Sequence, residues 1–243
     1  MLRPERYADD WTAREPRPAG RARGAVAALL AALSGACLAA APAAAHPHVF
    51  IEADAALIFD QSGRLEAIRV TWTYDEFYSL MMIEDGQLDS NGDGTPEAER
   101  LAAFAGQDVD WAAGFPGHIL VEQGATLPLD PPLEHEAAYA KGRIVTSHLR
   151  PLTEPLAVTA AQPLRLRLYD PEYFVAYDTP RAPSIEGRSD CKVTRHAPDS
   201  SGQGELLAAL QDLDMTADSI SVMEMPDVGI TFAEGFEVTC GAR

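Results

Sequence analysis

The stretch VFIEADAALIFDQSGRLEAIRVTWTYDEF, Val49 to Phe77, decides the fold. Residues 49–60 are rich in branched and aromatic side chains with partial alternation, and read as a strand. Asp60-Gln61-Ser62-Gly63 has the composition of a turn. Beyond it Leu65, Ala67 and Arg69 alternate against Ile68, Val70 and Trp72, so residues 65–74 form a second strand and the pair a hairpin. Asp75 then stands where a helix N-cap belongs, with Glu76 in the first turn of a helix running through Phe77, Leu80, Met81 and Glu84. Trp72, Tyr74, Phe77 and Tyr78 read as an aromatic part of the core.

Outward from this hairpin the pattern stays β-rich. A polar loop leads to Pro96 and a second helical stretch at 97–105. Further strands are expected at 118–122, 143–149, 164–169, 173–177, 191–195 and 228–239, the last interrupted by Gly235. Residues 205–213 read as a short helix, and 128–132 and 197–204 as loops. Many short strands with turn punctuation predict a mainly β, β-sandwich-like α+β fold with a helical insertion at about 75–106.

Towards the N-terminus, Arg14, Arg17, Arg21 and Arg23 precede an apolar run at 25–40, and Pro42-Ala43-Ala44-Ala45 follows. That is the pattern of a secretory signal peptide, residues 1–45, cleaved after Ala45. The run is short and Ala-weighted, whereas a membrane-spanning helix needs about 20 strongly apolar residues. Cys37 reads as filler of this run, since Ser34 stands where a lipoprotein signal wants Leu. The mature chain, 46–243, would then be a single periplasmic domain beginning at His46.

The leader holds six Arg and four acids, so a mature chain would carry 13 basic against 33 acidic residues, a formal charge of −20. Such a surface repels nucleic acid and anionic lipid and favours cations. The two cysteines left, Cys191 and Cys240, form an even pair in an oxidising compartment and are expected to be disulfide-bonded. The bridge would staple the last strand to an earlier one.

Two constellations suggest metal chemistry. In His46-Pro47-His48 the imidazoles lie two residues apart on an extended segment and share one side. Cleavage before His46 would add an α-amine as a third nitrogen donor. Pro47 has no backbone N–H, so the donors are imidazoles, amine and carboxylates, a set that suits Zn, Ni, Co or Cu. His118 and His148, in or beside predicted strands, are the best further ligands, ahead of His135 and His196. The second constellation, Asp89-Ser90-Asn91-Gly92-Asp93-Gly94-Thr95, matches the first half of a calcium loop, with oxygens at alternate positions and Gly at the sharp bend. Arg100 stands where the twelfth-position Glu belongs, so Glu97 or Glu99 must close a loop formed by Asp89, Asn91, Asp93 and Thr95. The same residues make an Asx-rich turn without an ion. Tyr169-Asp170-Pro171-Glu172-Tyr173-Phe174 reads as a tight β-turn with aromatic flanks, Asp170 and Glu172 being secondary ligand candidates. Gly-x-Ser-x-Gly, Cys-x-x-Cys and phosphate-loop patterns are lacking, so nothing argues for hydrolase or thiol-redox chemistry.

The leader ending at His46-Pro47-His48-Val49-Phe50-Ile51, the Asp89 to Gly94 loop before a helix, and Tyr169 to Phe174 together resemble the periplasmic domain of unknown function family 1007. That resemblance implies a periplasmic protein linked to transition-metal transport, mainly nickel, cobalt or zinc, with no established reaction. Three functions follow as expectations. The first is a non-enzymatic metal-binding accessory to an inner-membrane transporter, not itself membrane-embedded. The second is a copper enzyme with a histidine brace at His46, and the third is a calcium-stabilised envelope interaction module.

Overall fold

The expected hairpin is the spine of the molecule. A computed structural model describes residues 47–198, 201, 203–204 and 227–242. The leader, His46 and the helix expected at 205–213 lie outside the described residues. Strand β1 (Val49–Phe59) and β2 (Leu65–Tyr74) pair antiparallel, from Ile51 opposite Tyr74 onward. Their turn closes with Gly63 at φ 79° and its N–H donating to the Asp60 carbonyl at 2.9 Å.

Around this hairpin the described residues form two sheets that share one core. The first has the order β5 (Leu133–Ala140), β6 (Arg143–Leu156), β2, β1, β8 (Val175–Asp178). The short β9 (Ser184–Glu186) also lies on β1, and both β8 and β9 run parallel to it. The second sheet has the order β10 (Cys191–His196), β11 (Gly235–Cys240), β7 (Leu164–Leu168), β3 (Ile119–Gln123), β4 (Ala125–Thr126). Alternate residues of β1 and β2 face those of β7 and β11, so Leu57, Ile68, Val70 and Trp72 of one sheet pack in one cluster with Leu164, Leu166, Phe236 and Val238 of the other. Each such side chain, essentially fully buried, contributes about 1.5–3 kcal/mol. The architecture is the expected mainly β fold with a helical insertion.

Cys191 and Cys240 occupy directly opposed positions of β10 and β11 and are joined by a disulfide. Across the insertion, α1 (Glu76–Asp85) begins at Asp75, whose carboxylate accepts from the Tyr78 N–H, and α2 (Ala98–Phe104) follows the acidic loop. Helix α1 docks through Ser79, Met82 and Ile83. The Ser79 hydroxyl accepts from the Ile144 N–H at 2.9 Å, which ties the helix to β6.

Four expectations change. Phe77 is not core: it is 71% exposed, because the docked face of α1 is the one carrying Ser79 and Met82. The last strand starts only at Gly235, and a single 3-10 turn, Gly229–Thr231, occupies the segment before it. Residues 173 and 174 belong to the turn before β8 rather than to the strand. Strand β5 has no clear sequence signal, since Leu-Glu-His-Glu-Ala-Ala-Tyr-Ala is poor in branched residues. It forms as the edge of a sheet whose next strand, β6, pairs with it regularly from Arg143 to Ser147 and again, past a register shift, at Leu149.

Candidate functional site

The parallel pairing of β8 with the start of β1 sets Val49 opposite Val175 and Ile51 opposite Tyr177. It also brings the 170–174 turn against the segment just before β1. The His48 N–H donates to the Phe174 carbonyl at 2.9 Å, and the two rings lie 4.7 Å apart. Asp170, 5% exposed, organises the turn: Oδ1 accepts from the Glu172 N–H at 3.0 Å and Oδ2 from the Val175 N–H at 2.9 Å. Tyr173 follows at φ 57°, a conformation the surrounding bonds must impose. Gly229 seals the turn from outside. Its N–H donates to the Pro171 carbonyl at 3.0 Å, and a Cβ there would lie 1.7 Å from the Asp170 carbonyl oxygen.

His118 meets this turn from the loop before β3. It too has a left-handed backbone, φ 47°, and its carbonyl accepts from the Tyr169 N–H. Nε2 lies 3.4 Å from Asp170 Oδ1, and Nδ1 lies 2.9 Å from the Tyr177 hydroxyl. A carboxylate with both oxygens taken up as acceptors leaves one assignment: Nε2 carries the hydrogen towards Asp170, and Tyr177 donates to Nδ1. Burial pushes the His118 imidazole below its usual range, against the opposing pull of Asp170. Burial, helped by Asp170 and Asp108, holds the Tyr177 hydroxyl well above its ordinary range. The hydroxyl is therefore a donor and not a phenolate.

Between β1, α1, the loop before β3 and β8 lies a cavity of about 430 Å³. Trp72 and Tyr74 are buried in its wall, while Tyr78 and the half-exposed Phe174 also line it. Asp108 borders it as well, accepting from the Tyr74 hydroxyl at 3.0 Å and the Thr146 hydroxyl at 2.6 Å.

His148 belongs to a different neighbourhood. It is 2% exposed on β6, its ring 4.8 Å from Trp72 and from Trp111 and 6.1 Å from His135. Burial, with Arg150, His135 and Arg69 adding like charge, lowers its pKa to about 3, so it is neutral. Arg150 packs over Trp111, and its Nη1 donates to the Pro116 carbonyl across Gly117, where any Cβ would strike the guanidinium.

The acidic loop is self-contained. Asp89 accepts from the N–H groups of Gly92, Asp93 and Gly94, Asn91 from Asp93, and Asp93 from Thr95. Glu97 turns back to accept from the N–H groups of Ser90 and Asn91 and the Ser90 hydroxyl, and these bonds hold its carboxyl below the usual range. Glu99 sits in the first turn of α2. Carboxylates and carbonyls arranged this way bend the chain, and the same oxygens are the hard donors a calcium ion takes.

Of the residues singled out by sequence, His48 and His118 come to the two sides of one turn, and Asp89, Asn91, Asp93, Thr95 and Glu97 to one loop. His148 joins neither group. Among the described residues no three His, Cys, Asp or Glu side chains are arranged to hold a metal ion. Sequence reasoning did not find Asp108, Tyr177 or the cavity they share. Asp108 sits in a loop without periodicity, and its partners Tyr74 and Thr146 lie on strands remote in sequence. Asp170 was visible as a turn former and secondary ligand candidate, but not as the partner of His118.

A family model described as a protein of unknown function, DUF1007, matches residues 30–240. No curated protein matches the chain. The chain belongs to the DUF1007 family.

Proposed function

We propose that this DUF1007 protein is a non-enzymatic periplasmic accessory that captures a divalent transition metal, Zn, Ni, Co or Cu, for an inner-membrane transporter. The observation that carries this reading is the junction of β1 and β8. There His48 packs on Phe174 at one end of a turn whose other end, Asp170, pairs with His118. In this reading His46, two residues before His48 in the sequence, supplies a further imidazole. Cleavage before it adds an amine. Because the described residues hold no three-donor set, His46 and its amine are required ligands in this reading with His48, and His118 joins them only by giving up its contact with Asp170 or with Tyr177. The acidic surface raises the local cation concentration around the site. The Asp89 loop, closed by Glu97 or Glu99, is in this reading a structural calcium site that orders the insertion. No helix among the described residues is long and apolar enough to cross a membrane, consistent with a partner that does the crossing.

The test is native mass spectrometry of protein purified from the periplasm, with N-terminal sequencing of the same sample. Expected is a chain starting at His46 with one bound transition metal, lost in the His46→Ala, His48→Ala double variant. Copper together with oxidative turnover would turn the reading towards a brace enzyme. Calcium alone, or no metal after each ion is added, would leave an envelope interaction module.

A further inference from the structure

We propose that the cavity beside the 170–174 turn is a receptor site for a small organic ammonium ion. Its wall is aromatic: Trp72, Tyr74, Tyr78, Phe115, Phe174 and Tyr177 all line it. Aromatic faces attract cations, most strongly where water is excluded. The charge of the lining has one sign, since Asp108, Asp170 and Glu172 contribute and neither Lys nor Arg does. Asp170 is taken up by the backbone N–H groups of Glu172 and Val175 and faces the neutral His118. Asp108 is not answered by any cation: it accepts only the hydroxyls of Tyr74 and Thr146, and no Lys or Arg among the described residues pairs with it.

A half-buried carboxylate among aromatic rings is costly without a counter-charge. An ammonium ion seated between Asp108 and the rings supplies that charge and uses the π faces at the same time. The volume, about 430 Å³, lies in the range of small-molecule sites, roughly 300–1,000 Å³, and far exceeds what a bare ion fills. The same acids repel carboxylates and phosphates, so the lining selects by charge as well as by shape. His118 lines this cavity and is also a candidate ligand in the metal reading, whereas Asp108 and Tyr78 belong to this site alone, so variants at those two test it separately.

The experiment uses the mature protein treated with EDTA, with choline as probe and 3,3-dimethylbutan-1-ol as its uncharged isostere. Binding is read by calorimetry and by tryptophan fluorescence, to which Trp72 in the wall contributes beside Trp111. Choline is expected to bind at least about tenfold more tightly than the isostere. Asp108→Asn should weaken choline about tenfold and leave the isostere unchanged. Tyr78→Leu, at the half-exposed edge, keeps the apolar volume but removes a π face, and should weaken choline several-fold; it carries the test if Asp108→Asn melts early. His48→Ala should leave choline affinity unchanged, which separates this site from the metal. Equal affinity for the two probes, undiminished choline binding in both cavity variants, or no binding by folded wild-type protein at about 10 mM choline would overturn the proposal.

Discussion

The acidic loop at 89–97 and the turn at 170–174 are built on the same chemistry, an aspartate accepting backbone N–H groups, yet they depend on the chain in opposite ways. The carboxylates of the loop reach partners no more than seven residues away. The turn is stitched to distant segments: His118 to Tyr177 across 59 positions, Gly229 to Pro171, and His48 to Phe174. The loop can form wherever its sequence is placed. The turn exists as a site only after β1, β8 and β3 have assembled. Function that needs convergent side chains therefore belongs to the second region, and local ion-binding geometry to the first.

The contrast can be broken by damaging long-range order alone. Removing the Cys191–Cys240 bridge, which closes a loop with sequence separation 49, should cost about 4 kcal/mol. The Cys191→Ser, Cys240→Ser double variant measured by urea unfolding checks this. Gly229→Ala is expected to cost about 3 kcal/mol, because its Cβ meets the Asp170 carbonyl at 1.7 Å and neither backbone segment can yield. Amide exchange should then rise across 170–175 while 89–97 is unaffected; equal exchange in both regions would erase the distinction.

A pH-dependent effect concerns His148, whose pKa burial lowers to about 3. The unfolded chain binds its proton first as pH falls, so the stabilisation is complete above about pH 6.5 and is lost between there and pH 3, on the order of 4 kcal/mol. His148→Leu should flatten the thermal-melting profile over that window. The smallest effect belongs to the loop. Asp89→Ala leaves the Gly92 and Gly94 N–H groups to water, while Asp93 keeps Asn91 as acceptor, and because they are exposed the cost is about 1 kcal/mol. A loss of more than about 3 kcal/mol would show that the loop is coupled to the fold after all.

How much was legible follows the same division. The hairpin of β1 and β2, the Asp75 cap and the Asx-bonded loop were readable because alternation and capping are short-range patterns. Strand β5 was not, because Leu133–Ala140 has little β propensity of its own and owes its pairing to β6. Phe77 was misplaced as core because helical spacing says which residues share a face, not which face docks. For the candidate site, His48 and His118 were visible as histidines, but their relation through the 170–174 turn was not.

By itself, then, the sequence determined a β-rich domain with a helical insertion, a strongly acidic composition, an even pair of cysteines, and an oxygen-rich loop. These rest on periodicity, composition and near-neighbour hydrogen bonds. Tertiary structure alone decided that His118 faces Asp170 and Tyr177, that His148 is sealed among tryptophans, and that Asp108 meets an aromatic cavity. Those relations depend on which strands pair and in which register, and a one-residue slip in β8 would turn Tyr177 to the opposite face of the sheet.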